Sequence, residues 1–178
     1  MQKIALSIVV AMTPERVIGN EGKLLWRLPS DLARFKEITM RAGTVVMGRK
    51  TYESILDRNG EPLRERKHIV LTKKGAMSPD YKSVHFAESL QEACMDIVKY
   101  GNNACIIGGG EIYRLFLSIP QVTSLFITTV YTPKKLSGDV YFPEIPAKAG
   151  WKCEKSSAIQ RWNPFDEYDT SFALYKRS

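Results

Sequence analysis

Histidine and cysteine are scarce in this 178-residue chain: two histidines, His68 and His85, and three cysteines, Cys94, Cys105 and Cys153. No C-x-x-C pair occurs and no His/Cys spacing matches a ligand set, so no metal is expected. An odd number of unpaired cysteines reads as free thiols in a reducing cytoplasm. No apolar run reaches the ~18 residues of a membrane span, so no membrane partner is expected. The N-terminal stretch "MQKIALSIVVAMTPERVIG" is apolar after Lys3 but has no small-residue cleavage site. Pro14, Glu15 and Arg16 follow at once, so it reads as a buried strand. Repeats, low-complexity tracts and linkers are absent. The chain therefore reads as one domain, residues 1–178, long enough for a substantial core. The G-x-G-x-x-G fingerprint of the ordinary dinucleotide fold is missing too.

What is present is an ordinary globular composition, 44% hydrophobic and 25% charged, with a formal charge of +7. Such a charge suits an anionic ligand, and it also raises the alternative of a nucleic-acid-binding domain. The cations are scattered, however, with short clusters only at 64–67, 73–74 and 134–135, and no basic stripe is interleaved with aromatics. No nucleic-acid partner is expected.

Short β-branched runs alternate with helical patterns. Strands are expected at 3–11, 44–48, 67–72, 83–87, 104–108, 124–131, 151–159 and 169–177, and helices at 30–41, 49–56, 88–101 and 110–117. In the third helix Leu90, Ala93, Cys94, Ile97 and Val98 make an apolar face, Ser89 and Glu92 have capping-box spacing, and Gly101 can close the end. Near-continuous apolar strands separated by helices imply an α/β fold with a mostly parallel sheet covered on both faces. The last two strands lack a helix between them and should form an antiparallel edge pair. Ligands in such sheets sit beyond the carboxyl ends of the strands.

Three motifs stand there. In "VVMGRKTYESI" (45–55), Gly48 turns the chain and Arg49-Lys50-Thr51 open a helix. Cations oppose the positive end of a helix dipole, an arrangement best tolerated with an anion between them. In "CIIGGGEIY" (105–113), three glycines let backbone approach a ligand closely. In "VLTKKG" (70–75), Thr72, Lys73 and Lys74 could complete a phosphate site. Upstream, in "LLWRLPSDLARFK" (24–36), Asp31 shares a helix face with Phe35 and Ile38, with Leu32 adjacent. The helix N-terminus lowers the pKa of such a carboxylate and burial raises it.

With these motifs in order, joined by "RVIGNEGKLLWRLPSDLARFK" (16–36), "PLRERKHIVLT" (62–72), "ITTV" (127–130) and "GDVYFP" (138–143), the sequence resembles the dihydrofolate reductases of bacterial type. The resemblance runs from about residue 3 to 176. It implies an eight-stranded, mostly parallel sheet with four helices, and NADPH-dependent reduction of 7,8-dihydrofolate to 5,6,7,8-tetrahydrofolate. The combination of Trp26, Asp31 and Arg66 argues against one rival within the same chemistry, the related reductase of riboflavin synthesis.

The resemblance also assigns residues. Asp31, Trp26, Thr128 and Tyr113 would be catalytic, with Asp31 accepting two N–H bonds from the pterin edge, Thr128 bonded to Asp31, and Trp26 fixing a water. Val9, Val10, Leu32, Phe35, Ile55 and Leu63 would line the substrate site, and Arg66 would clamp the glutamate α-carboxylate. Ala11, Ile18 and Gly19 would serve the nicotinamide end of NADPH. Gly48, Arg49, Lys50 and Thr51, then Leu71, Thr72 and Lys73, then Ile107, Gly108, Gly109, Gly110, Ile112 and Tyr113 would serve the rest. Residues 12–28 would be a mobile lid bonded to Asp139, and the Gly108–Gly109 peptide would be cis. Leu25, where many members have Pro, and Glu111, where some have Arg, depart from the pattern. The implied partners are dihydrofolate and antifolates such as trimethoprim or methotrexate, and the implied state is a cytoplasmic monomer.

Overall fold

A computed structural model describes residues 4–73 and 81–177. Its main sheet has eight strands in the order β5-β4-β3-β6-β1-β7-β10-β9. These are β1 (Ala5–Met12), β3 (Thr44–Gly48), β4 (Lys67–Leu71), β5 (Val84–Ala87), β6 (Asn103–Gly108), β7 (Val122–Tyr131), β9 (Trp151–Ser156) and β10 (Asp169–Arg177). The first six are parallel, and β10 runs antiparallel to both β7 and β9. The expected edge pair is therefore present. Four helices flank the sheet: α1 (Pro29–Ala42), α2 (Arg49–Asn59), α3 (Leu90–Lys99) and α4 (Gly110–Leu117).

Alternation along the strands sorts the core into two layers. Val46 and Ile106 point to one face, where they pack with Ala93 and Ile97 of α3 and Ile112 and Phe116 of α4. Val45, Met47, Cys105 and Ile107 point to the other, against Phe35 and Ile38 of α1 and Tyr52 and Ile55 of α2. Both faces are covered, which explains why these strands carry few polar residues.

Several boundaries differ from the sequence reading. Lys3 and Lys74 lie outside the described residues. Helix α2 continues past 56 because its stop signal is Gly60, at φ +73, whose N–H donates to Leu56 O at 2.7 Å. Strand β7 begins at Val122. Strand β9 ends at Ser156, not at 159, after a register shift opposite Leu174/Tyr175. In α3 the Ser89 Oγ accepts from the Glu92 N–H as expected (3.1 Å), but the Glu92 carboxylate takes the N–H of Glu88, one residue before the cap. Tyr100 closes that helix, with Gly101 (φ +116) beyond it. Val98 is half exposed, and Asp96 is buried in its stead. Asp96 Oδ2 lies 3.0 Å from His85 Nε2, and Glu92 completes a trio whose ligand atoms lie within 4.8 Å of one another. Linear spacing did not bring these three together.

A second, two-stranded ribbon was also illegible in the sequence. Strand β2 (Val17–Gly19) pairs with β8 (Val140–Tyr141). It crosses the connections that leave β1 and β7, at the edge where the strand carboxyl ends gather.

Candidate active site

The opening turn of α1 brings Asp31 to that edge. Pro29 starts the helix with its fixed φ, and Gly43 at φ +74 ends it. Thr128, buried on β7, donates from Oγ1 to Asp31 Oδ1 at 2.6 Å. The Asp31 side chain keeps a fifth of its exposure. Burial pushes its pKa up, against the Thr128 hydrogen bond and the Arg34 guanidinium, while Asp166 adds to the rise. Between the two effects weighed from sequence, burial wins. Arg34 Nη1 sits 3.8 Å from Asp31 Oδ1, and its guanidinium lies 4.4 Å over the Phe172 ring. Asp31 and Arg34 are i,i+3 neighbours that the sequence reading did not weigh, whereas the Phe172 contact, made across the fold, was not legible from spacing.

Val9, Phe35, Ile55 and Leu63 share one apolar layer beside Asp31's helix. Val10 points to the opposite layer, with Ile112 and Tyr113, so of the two valines only Val9 shares a face with Phe35. Leu32 is 50% exposed. Trp26 is half-buried on the segment leading into α1. Tyr113 is buried and donates from its hydroxyl to Val9 O at 2.8 Å. Burial pushes its pKa far up, so this phenol stays protonated.

Arg66 is 8% exposed, and none of the ion pairs among the described residues involves it. Its Nε donates to Arg64 O (2.9 Å) and its Nη1 to Thr39 Oγ1 (2.8 Å). Thr39 is itself buried on α1. A guanidinium held this way, without a carboxylate, fits an anionic ligand. Beside it a cleft of about 430 Å³ is lined by Lys36, Leu63 and Arg64.

The loop that carries Leu63 and Arg66 is tied down by His68, which the sequence reading had only counted as a poor metal ligand. His68 is fully buried, and its Nε2 accepts from Leu63 N–H at 3.1 Å. Burial lowers its pKa to about 4. Its folded value thus lies below the unfolded one near 6.5, so the unfolded chain binds the extra proton in between. Stability is fully present above pH 6.5 and declines as pH falls toward 4. Urea unfolding at pH 7 and pH 5 should show a loss of about 2 kcal/mol from this group. His68→Gln, whose amide oxygen can take the same N–H, should remove most of that difference.

Two glycine turns stand side by side, because Met47 pairs with Gly108 across β3 and β6. Gly48 precedes α2 and Gly109 precedes α4, and neither helix has a side-chain cap. A Cβ on Gly48 would lie 3.1 Å from Ile112, and one on Gly108 3.2 Å from the Tyr113 ring. The Gly108–Gly109 peptide is cis and Gly108 has φ +116, the bond expected from the resemblance. Two adjacent, uncapped helix N-termini on small residues fit a diphosphate. Around them, Thr51 packs near Gly109, Lys50 and Lys73 are exposed, and Leu71 is partly buried. Thr72 N–H donates to Ala87 O at 3.0 Å. Arg49 pairs with Glu53 at 2.6 Å, a partner one helical turn on that sequence reading did not consider. Glu111 is exposed on the first turn of α4.

Segment 12–28, the expected lid, is tied down at its middle and at its C-terminal end. Glu21 N–H donates to Asp139 Oδ1 (3.1 Å), the contact implied by resemblance, and Asp139 N–H donates to Gly19 O (3.2 Å). Gly138 permits this approach, since a Cβ there would collide with Val17 Cγ1 and Gly19 O. Ile18 packs on the α3/α4 layer, whereas Gly19 is buried in the ribbon and Ala11 is half-buried at the end of β1. At the C-terminal end Arg27 N–H donates to Glu167 Oε2 (2.9 Å) and Glu167 N–H to Arg27 O (3.0 Å). Glu167 and its neighbour Asp166 were not singled out from sequence.

An uncapped anion cradle opening beside a carboxylate pocket with a buried guanidinium defines a two-ligand α/β enzyme site. A family model for dihydrofolate reductase matches residues 5–177. The dihydrofolate reductase of Bacillus subtilis is 34% identical over 97% of this chain and 94% of its own length. That of Haemophilus influenzae is 34% identical over 98% and 99%. A solved structure of dihydrofolate reductase from Enterococcus faecalis complexed with NADP(H) and RAB-propyl is 29% identical, with a TM-score of 0.81 over 99% of this chain and 98% of that one. The chain belongs to the dihydrofolate reductase family. Its activity is the NADPH-dependent reduction of dihydrofolate to tetrahydrofolate. Among the described residues no helix is long and apolar enough to cross a membrane.

Proposed function

We propose that Asp31 and Thr128 hold the pterin of 7,8-dihydrofolate, that Arg66 holds the α-carboxylate of its glutamate, and that the Gly48 and Gly109 turns hold the diphosphate of NADPH. The observation that carries this reading is the Thr128–Asp31 pair at 2.6 Å. One oxygen is engaged by the protein, and Oδ2 takes no protein donor among the described residues. A 2-amino-4-oxopteridine supplies N–H donors on one edge.

NADPH, when bound, supplies the hydride that reduces the pterin's C6–N5 bond, and N5 gains a proton. The chain's own part is alignment and proton supply. Asp31, the one ionisable side chain placed on the pterin, keeps its proton to higher pH than an exposed aspartate would. Thr128 fixes its orientation. Phe35, Ile55, Leu63 and Val9 exclude water from the ring. Tyr113 is locked onto Val9 O and stays neutral, so it contributes shape and not a proton. Trp26, half-buried on the segment leading into α1, fixes a water beside the pterin, and Leu32, half exposed, brackets the substrate.

Arg49 and Lys73, which follow the paired strand ends Gly48 and Leu71, meet the 2′-phosphate of the cofactor. Arg49→Ala should weaken NADPH more than NADH, by about 1.5–3 kcal/mol of lost charged hydrogen bonding. Binding titrations by quenched protein fluorescence check this, and equal losses for both cofactors would remove Arg49 from the site. Three free cysteines, one of them exposed, suit a cytoplasmic enzyme. A monomer suffices, because every group named belongs to one chain. The antifolates trimethoprim and methotrexate are expected at the Asp31 pocket.

The test of the whole reading is absorbance at 340 nm with NADPH and dihydrofolate. Loss of the signal in an Asp31 variant, and its loss only at low dihydrofolate in an Arg66 variant, with NADPH binding retained in both, supports the assigned halves of the site. Equal loss of NADPH binding in both variants would contradict it.

A further inference from the structure

The loop between β9 and β10 covers the first turn of α1. At its centre Asp166 is only 2% exposed. Its Oδ1 accepts from Ser30 N–H (3.0 Å), and its Oδ2 accepts from Ser30 Oγ (2.6 Å) and from Asn163 N–H (3.1 Å). Helix α1 has no cap of its own, since Leu28 stands at the cap position. A carboxylate 136 residues away therefore satisfies an N–H at the helix start, beside Asp31. Capping alone does not require a charge: neutral Ser and Asn cap helices as well as Asp does. Burying a second negative charge beside a pocket carboxylate is costly, so the charge itself calls for a role.

We infer that Asp166 is a positioning residue for the reaction: it fixes the helical turn that carries Asp31 and sets a second buried carboxylate beside it. This rests on the reading of Asp31 as the pterin carboxylate. The groups facing Asp31 are few. Thr128 comes from β7 and Arg34 from α1 itself, and both favour the anion. Tyr113 of α4 stays neutral. Asp166, from the β9–β10 loop, acts with burial in the opposite direction. Arg34 is restrained over the Phe172 ring, so its charge stays near Asp31, and Asp166 offsets it in part.

The experiment is carbon-13 NMR of the Asp31 carboxyl across pH in wild type, Asp166→Asn, Asp166→Ser and Asp166→Glu, paired with pH–rate profiles at saturating NADPH. In the Asn and Ser variants the Asp31 midpoint should drop by roughly half a unit to one unit, as expected on removing one like charge nearby. The pH at which turnover declines should move down with it. Asp166→Glu keeps the charge and should leave the midpoint in place while lowering turnover evenly. Ser provides a second neutral cap should Asn fail to fold. An unmoved or raised Asp31 midpoint in a folded neutral variant overturns the inference and leaves Asp166 a cap only. A midpoint that drops while the rate profile stays fixed supports the electrostatic role of Asp166 and instead contradicts Asp31's place on the pterin.

Discussion

Asp31→Asn is expected to lose about 10²-fold or more in turnover at pH 7, the scale of lost acid–base assistance. The substitution keeps the shape and an oxygen that can accept from Thr128 but removes the carboxyl on which the proposed proton supply rests. NADPH affinity should change little, because the cradle proposed for the cofactor, at the Gly48 and Gly109 turns, is built on other elements. The sign of the pH dependence follows from burial. Asp31's pKa is raised, so its protonated form persists to higher pH and wild-type turnover should decline as pH rises through that value. The variant lacks this group and depends on solution to protonate N5, so its activity should climb steadily as pH falls. A pH–rate profile of both proteins with dihydrofolate checks this. Near-wild-type turnover at pH 7 with an unchanged profile would return Asp31 to an ordinary first-turn acid.

The second large effect concerns Arg66. Arg66→Met should raise KM for dihydrofolate by roughly 10- to 150-fold, the equivalent of about 1.5–3 kcal/mol of charged hydrogen bonding, with kcat nearly unchanged. The same change should not lower Tm. Arg66 is a buried cation with no carboxylate partner among the described residues, and burial lowers its pKa. A neutral side chain of similar length escapes that desolvation cost, while only Thr39 Oγ1 and Arg64 O lose a donor. A pteridine lacking the glutamate tail should be turned over equally by both proteins. Unfolding of Arg66→Met, or equal losses for tailed and tailless substrates, would make Arg66 a structural residue.

Period and punctuation explain what was readable in the sequence. The alternation at Val45-Val46-Met47 and the glycines at 48 and 108–110 are local signals, and they placed the strands and the turns before α2 and α4, whereas the equally local Gly60 went unread and α2 was expected to end at 56. Asp31's helix face was equally local. Its burial was not: that comes from Thr128, 97 residues away, and from the loop around Asp166. Family resemblance supplied Thr128 and Asp139, but spacing could not, since a 3.6-residue period describes neighbours within one helix only. The β2–β8 ribbon of three and two residues is too short for any periodicity to register. His68 had a visible signal, a lone imidazole in the apolar run "KHIVLT", which marks a buried hydrogen-bonding role in place of a metal ligand.

The most direct measurement is of Asp31 itself, by carbon-13 NMR of its carboxyl, assigned by comparison with Asp31→Asn and followed across pH with and without a bound pterin. A midpoint above the ordinary aspartate range in the free enzyme, displaced when the pterin binds, is the result this account predicts. A midpoint within or below that range, unmoved by the pterin, would contradict it.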